Sequence, residues 1–318
     1  MNIVVTGGAG FIGSHLTIRL VRAGQRVRVV DNFSTGQERF LDAVRGAPNL
    51  EVVRCDILDL PSLTEAMEGA EFVYHLAANA DVRFGLQHPR KDLDHNTIGT
   101  FHVLEAMRQV GARHIVFSST GSIYGEPSIH PTPEDAPFPI QTSLYGASKL
   151  AGEGLIEAYC EGFGFQSWIF RFVSILGEHY SHGHVFDFYR KLRANPRELE
   201  VLGDGHQKKS YLYVHDCLDA IELAVRKAQD KVNIFNLGTD EYCEVNDSVR
   251  WICEALRVQP VLRYTGGPRG WVGDSPFIYL DTRRIRALGW QPTLSIREAV
   301  LRTLRYLEAN PWLLEARA

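Results

Sequence analysis

The chain has 318 residues, 45% hydrophobic and 23% charged, with a formal net charge of -4 and a sequence pI of about 6.3. That is ample apolar material for one large domain or two fused ones, and the mildly acidic balance argues against nucleic acid or an anionic membrane as partner. No apolar run reaches the ~20 residues of a membrane span. The five scattered cysteines, with no CxxC pair, read as reduced thiols, which points to a cytoplasmic protein with no zinc site.

Met1 leads straight into the strand-like run Ile3-Val4-Val5, with no signal peptide visible. Strands are expected at Asn2–Thr6, Arg26–Asp31, Glu51–Cys55, Phe72–Leu76 and His114–Ser118. Helices are expected between them, near Gly13–Ala23, Gly36–Val44, Leu60–Met67 and Asn96–Val110. This alternation predicts an α/β fold, a doubly wound parallel sheet covered on both faces. A helix over Tyr145–Glu161 and a strand at Ser167–Phe172 continue it. After Gly177 the rhythm breaks. A His-, Gly- and aromatic-rich stretch, Glu178–Tyr189, precedes a short helix and a loop at Gly203–Lys209. Strands at Tyr211–Val214 and Asn233–Leu237 flank a helix, Asp216–Ala228. Helices near Ser248–Leu256 and Ser295–Glu308 enclose a Gly/Pro-rich loop, Gly266–Pro276. The expected division is a dinucleotide-binding domain over 1–175 and a smaller mixed α/β substrate domain over 176–318, with segments returning to the first domain.

Thr6-Gly-Gly-Ala-Gly10-Phe-Ile-Gly13 lies between the first strand and the first helix. Gly7, Gly10 and Gly13 supply a tight turn, close backbone approach and close helix–strand packing. The helix N-terminus, opened by Phe11 and Ile12, then points unsatisfied N–H groups at a pyrophosphate. Asp31 ends the second strand, where a carboxylate accepts both ribose hydroxyls and repels a 2′-phosphate. No Arg follows it directly, which favours NAD over NADP. A turn or cap role remains open for Asp31, given the following Asn32 and Ser34. Asp56, closing the third strand, is placed to cap the adenine edge or simply a helix.

Tyr145-Gly-Ala-Ser-Lys149 spaces a phenol and an ammonium by four residues, on one face if helical. The ammonium is expected to lower the tyrosine pKa toward neutrality, so that Tyr145 can take a hydroxyl proton while hydride leaves the same carbon. An exposed Tyr/Lys pair is the plain alternative, and the glycine loop earlier in the chain argues against it.

TGGAGFIG, Asp31-Asn-Phe-Ser-Thr-Gly36, Asp56-Ile57, His75-Leu-Ala-Ala78, Asn96, Phe117-Ser-Ser-Thr-Gly-Ser-Ile-Tyr-Gly125 and Tyr145–Lys149 occur in this order. Together they resemble the extended short-chain dehydrogenase/reductases, and within them the sugar-nucleotide 4-epimerases that act on UDP-galactose and UDP-glucose. The resemblance implies NAD held throughout turnover, Tyr145 as base, Lys149 on the nicotinamide ribose and Thr120 as hydroxyl partner. It extends the cofactor site to Thr35, Gly36, Ile57, Leu76, Ala77, Ala78, Asn96 and Ser118, and the sugar site to Thr120, Ser122 and Tyr145. Dehydratases of this group carry an Asp–Glu pair directly after the catalytic threonine, and decarboxylases commonly a Glu. Here Gly121-Ser122 follows Thr120, so the implied reaction is epimerisation of a UDP-hexose at C4. A dehydratase, decarboxylase or 4-keto reductase is the alternative, and a non-catalytic NAD sensor would be expected to lose the Tyr/Lys/Thr set.

On the substrate side, Lys209 stands where the family usually has a diphosphate-clamping Arg, and Lys supplies a point charge in place of a fork. Arg269 resembles a second phosphate arginine, with Asp274 near a nucleoside ribose. Ser174 stands in for a substrate-binding Asn. His184, followed by Val185, replaces an Asn-containing segment. The spacing of His182 and His184 also suits a metal, but no carboxylate or cysteine completes a site. Glu178 and His179 occupy the place where uronic-acid epimerases often carry an Arg. A carboxylate there disfavours an acidic sugar. The resemblance also implies a homodimer through the helices near Asn96–Val110 and Tyr145–Glu161.

Overall fold

The structure, a computed structural model, describes residues 1–80, 84–138 and 140–316. Seven strands form one sheet: β1 (Asn2–Thr6), β2 (Arg26–Asp31), β3 (Leu50–Arg54), β4 (Phe72–His75), β5 (His114–Thr120), β6 (Gln166–Phe172) and β7 (Val232–Leu237). Their order is β7-β6-β5-β4-β1-β2-β3. β1 pairs in parallel with β2 and β4, β2 with β3, and β4 with β5. The order reverses between β1 and β4, and sheets of this kind bind ligands at the carboxyl ends of the strands that flank such a reversal.

The central strands are buried on both faces. Val4, Val73, Ile115 and Phe117 point into one apolar layer with Leu63, Met67, Leu104, Met107 and Ile156. These come from α2 (Leu60–Ala66), its C-cap Met67, α3 (Gly99–Val110) and α4 (Leu144–Phe163). The neighbours of opposite parity, Val5, Val29, Tyr74 and Val116, are equally buried. A strand apolar on both sides needs cover on both sides, which is why the runs read as continuous hydrophobics rather than as alternating ones.

Several elements depart from expectation. Residues 38–44 form a 3-10 helix, Glu38–Val44, instead of an α-helix. The helix expected from Asn96 begins as α-helix at Gly99. A π segment, Leu93–Ile98, precedes it and turns Asn96 inward. β5 runs two residues longer than expected, so Thr120 closes the strand.

Packing divides the chain into two compact units. The first comprises Met1–Ile123, Leu144–Arg171 and Glu222–Phe235. The second comprises Tyr124–Ser143, Phe172–Ile221 and the chain from Asn236 onward. The second unit holds strands too short to show a period in the sequence. Ser174–Leu176 pairs with Tyr211–Tyr213, Glu198–Val201 with Val261–Tyr264, and Lys208–Lys209 with both Cys243–Glu244 and Phe277–Ile278. Buried Asp216 ties this unit together. Its carboxylate accepts from Thr293 N, Thr293 Oγ1 and Leu294 N at 2.6–3.3 Å, just before the capping box of Ser295 and Glu298 starts the last long helix. Among the described residues no helix is long and apolar enough to cross a membrane.

Candidate active site

The glycine loop is shaped by close approach. Gly7 has φ +69°, in the left-handed region, and a Cβ on it would lie 2.7 Å from Ala77 N. Gly10 N donates to Gly7 O at 3.0 Å and Gly7 N to Val30 O at 2.9 Å. Gly10 is the N-cap of α1 (Phe11–Arg22), with no side-chain cap and no acidic residue in the first turn. Phe11 and Ile12 are half-buried there. An uncapped N-terminus over a loop that excludes side chains fits a dinucleotide pyrophosphate.

Asp31 is buried, and its two oxygens accept from Ala9 N at 2.9 Å and Phe33 N at 2.8 Å. Burial pushes its carboxyl up from the ordinary range, against those two bonds. Gly36 faces it so closely that a Cβ would lie 2.9 Å from both oxygens. Asn32 Nδ2 donates to Asp56 Oδ2 at 2.9 Å, and Ser34 N to Asn32 Oδ1 at 3.0 Å. Thr35 is exposed beside them. Asp31, which ends β2, and Asp56, just past β3, are thus linked through Asn32, the residue after Asp31. Arg54, distant in sequence from Asp31, lies over the Phe33 ring at 4.4 Å. Ile57 is a core side chain, packed where a Cβ on Gly99 would lie.

Beneath the loop runs a buried chain of hydrogen bonds that sequence reasoning missed. Thr100 Oγ1 donates to Asn96 O at 2.7 Å, so it accepts from His75 Nε2 at 3.0 Å. His75 Nδ1 then accepts from Thr6 Oγ1 at 2.8 Å, and Thr6 Oγ1 accepts from Ala77 N at 3.3 Å. Every polar atom of the imidazole is used, and burial holds His75 neutral, its pKa pushed down to about 3. Leu76, Ala77 and Ala78 follow, half-buried.

Asn96 uses its amide on protein. Its Oδ1 accepts from Asn79 N at 2.8 Å, and its Nδ2 donates to Asn79 O and to Ser148 Oγ at 3.2 and 3.0 Å. Ser148 Oγ donates in turn to Tyr145 O at 2.8 Å. Asn96 thus ties the segment after β4 to the helix that carries the tyrosine.

Tyr145 and Lys149 share one face of α4, and a side-chain hydrogen bond links Thr120 to the Tyr145 hydroxyl. Thr120 Oγ1 also donates to Ser122 Oγ at 3.2 Å and accepts from Ser122 N at 3.1 Å. Lys149, fully buried, donates to Ser118 O at 2.8 Å and lies 4.6 Å from the Phe117 ring centre. The expected lowering of the tyrosine pKa is not found in the protein's own groups. Desolvation pushes Tyr145 up to about 12, opposed by the Thr120 bond, with Asp92 adding to the rise. Burial pushes Lys149 down to about 7 despite Glu153. The expectation counted neighbouring charge and left out burial, and desolvation is the largest cause on both groups.

In the second unit, Lys209, Asp274 and Arg269 come together. Lys209 Nζ donates to Asp274 Oδ1 at 2.6 Å, Gly270 N to Asp274 Oδ2 at 3.0 Å, and Arg269 Nη1 to Asp274 O at 3.4 Å. Arg269 also pairs with Glu126. His184 opens a helix, His184–Ala194. Its ring lies 4.6 Å from that of Tyr211, and burial beside the Lys209 charge pushes its pKa down to about 3. His184 Nε2 and Trp271 Nε1 are buried without a hydrogen-bond partner among the described residues. Val185 is wholly core, and Ser174 is exposed on its strand. Glu178 accepts from Tyr213 and Arg302 at 3.0 and 2.6 Å, which balances the charge expected to repel an acidic sugar. Among the described residues no cluster of three metal-ligating side chains occurs.

Residues 3–238 match the NAD dependent epimerase/dehydratase family. UDP-glucose 4-epimerase of Mycolicibacterium smegmatis is 32% identical over 314 residues, spanning 96% of this chain and 98% of that protein. UDP-glucuronic acid decarboxylase 1 of Danio rerio is 30% identical over 312 residues, spanning 96% of this chain and 72% of that one. A crystal structure of UDP-galactose 4-epimerase superposes with a TM-score of 0.88 at 37% identity, over 98% of this chain and 100% of that one.

Proposed function

Because the chain belongs to the NAD dependent epimerase/dehydratase family, we propose that it inverts C4 of a UDP-hexose, interconverting UDP-glucose and UDP-galactose. The observation that carries the choice within the family is the end of β5. Thr120 meets the Tyr145 hydroxyl there, and the 3-10 turn that follows opens with Gly121-Ser122 and presents no carboxylate. Among the described residues this turn offers no acid or base to remove a proton from a carbon beside the ketone, as elimination of water requires.

The chemistry that NAD supplies when bound is reversible hydride acceptance at the sugar carbon, together with a positive ring in its oxidised form. As the phenolate, a form that the positive ring of the bound cofactor would favour against the raised pKa, Tyr145 Oη takes the proton of the 4-hydroxyl and then returns it, with Thr120 Oγ1 holding the same hydroxyl in line. Lys149 orients the ribose of the cofactor and supplies the local positive charge. Gly7, Gly10, Phe11, Ile12 and Gly13 cradle the pyrophosphate by backbone and helix terminus. Asp31, with Asn32, Ser34, Thr35 and Gly36, holds the adenosine ribose, and Asp56 its base edge.

The second unit takes the sugar nucleotide. Arg269 and Lys209 face its diphosphate, Asp274 its ribose, and His184 and Ser174 its sugar side. Glu178 and His179 stand directly after Gly177 in place of an arginine, and Arg302, the guanidinium beside Glu178, is already paired with it, which supports a neutral hexose over a uronic acid. A homodimer through α3 and α4 is supported by exposed Leu93, Ile98, Phe101 and Phe163 on and beside those helices. Reduced, dispersed cysteines support a cytoplasmic location.

Incubation with a panel of UDP-glucose, UDP-N-acetylglucosamine, UDP-glucuronate and dTDP-glucose, followed by NMR, tests the proposal. The expected product is UDP-galactose from UDP-glucose. A 4-keto-6-deoxy sugar or a pentose as the main product would replace the epimerase by a dehydratase or a decarboxylase.

A further inference from the structure

One turn beyond Lys149 on the same face of α4 lies Glu153, 1% exposed, in a buried ion pair with Arg171 of β6. The contact is a fork. Arg171 Nε lies 3.2 Å from both carboxylate oxygens and Nη2 lies 2.8 Å from Oε2. Ser119 Oγ donates to Glu153 Oε1 as well. Three successive turns of α4 therefore engage three consecutive residues of β5: Tyr145 meets Thr120, Lys149 meets the Ser118 carbonyl, and Glu153 meets Ser119. A buried ion pair is weak evidence for stability, since apolar residues of similar volume often serve as well. Its place beside the reacting tyrosine and lysine points elsewhere.

We propose that the Glu153–Arg171 pair is a positioning device for the reaction, holding the Lys149 ammonium charged and in place while Ser119 clamps the strand end that carries Thr120 to the same carboxylate. The inference rests on the roles given above to Tyr145 and Lys149. The groups facing Lys149 are Tyr145 and Glu153 on α4, the Ser118 carbonyl and Phe117 ring on β5, and His75 on β4. Arg171 on β6 and Glu157, one turn further along α4, lie behind Glu153. His75 is held neutral, so Glu153 is the anion that favours the charged lysine. Without Glu153, Lys149 releases its proton at lower pH and Arg171 loses its forked carboxylate partner.

The test uses Glu153→Gln and the apolar double variant Glu153→Met/Arg171→Met, with three readouts: thermal midpoint, NAD affinity as a function of pH, and the pH profile of kcat. Glu153→Gln is expected to lower the midpoint and to move the basic limb of NAD binding and of kcat down by one pH unit or more. The double variant is expected to regain the midpoint, with its limb still displaced, by less than in Glu153→Gln. If Glu153→Gln does not fold, the double variant decides alone. A basic limb at the wild-type pH in the double variant would reduce the pair to a structural link and overturn the proposal. NAD binding is read without sugar, so that outcome is distinct from failure of the epimerase reading, which would show as absent turnover with the wild-type limb of NAD binding intact.

Discussion

Gly13 and Gly7 approach so closely that a methyl group on Gly13 would overlap the Gly7 carbonyl oxygen. Nothing flexible stands in the way; the overlap is with main chain. Gly13→Ala must therefore push α1 away from the loop and misaim its N-terminal N–H groups. The expected result is at least a tenfold loss of NAD affinity, about 1.4 kcal/mol or more, read by calorimetry.

Tyr145→Phe removes the hydroxyl that Thr120 bonds and leaves the ring and Lys149 in place. Turnover should fall by roughly 10²–10⁴-fold, the range of general acid–base catalysis, while NAD stays bound after gel filtration. Loss of NAD together with activity would assign Tyr145 to binding instead.

His75 sets an acid limit on stability. Its pKa is pushed from 6.5 down to about 3 in the fold. Between those values the unfolded chain binds a proton that the native one does not, so stability is full above about pH 6.5 and falls as pH drops toward 3. The slope from this imidazole approaches about 1.4 kcal/mol per pH unit. Chemical denaturation at pH 7 and pH 5 should show it. In His75→Gln, with no group to titrate, the difference between the two pH values should shrink.

Arg269 is held by Glu126, and the diphosphate we assign to it must compete with that carboxylate. Glu126→Gln should lower KM for UDP-glucose severalfold with kcat unchanged, since both groups are about 40% exposed and the pair is correspondingly weak. Arg269→Ala should raise KM. A Glu126→Gln change confined to kcat would place the pair outside substrate binding.

The sheet was legible because its strands carry a local signal. β1 and β2 fall where expected, the glycine loop stands out because it directly follows a strand, and Tyr145–Lys149 stands out because that loop precedes it in the same chain. The rest depends on contacts between residues far apart in the chain. His75 read as one letter of a motif, and its role emerges only when β4 lies beside β1 and brings Thr6 and Thr100 to its two nitrogens. The expected pKa of Tyr145 reversed because a spacing argument supplies neighbouring charge but not burial. Val261–Tyr264 went unread because its four residues are exposed, so no alternation marks them. Lys209 and Asp274, 65 residues apart, were read singly and form one ion pair.

The most direct measurement is proton NMR of the purified enzyme with UDP-glucose alone, no dinucleotide being added. The anomeric signal of UDP-galactose should grow until it reaches the same ratio as that approached from UDP-galactose. Persistence of unchanged UDP-glucose until NAD is supplied in stoichiometric amounts, with net oxidation of the sugar, would contradict a self-contained epimerase.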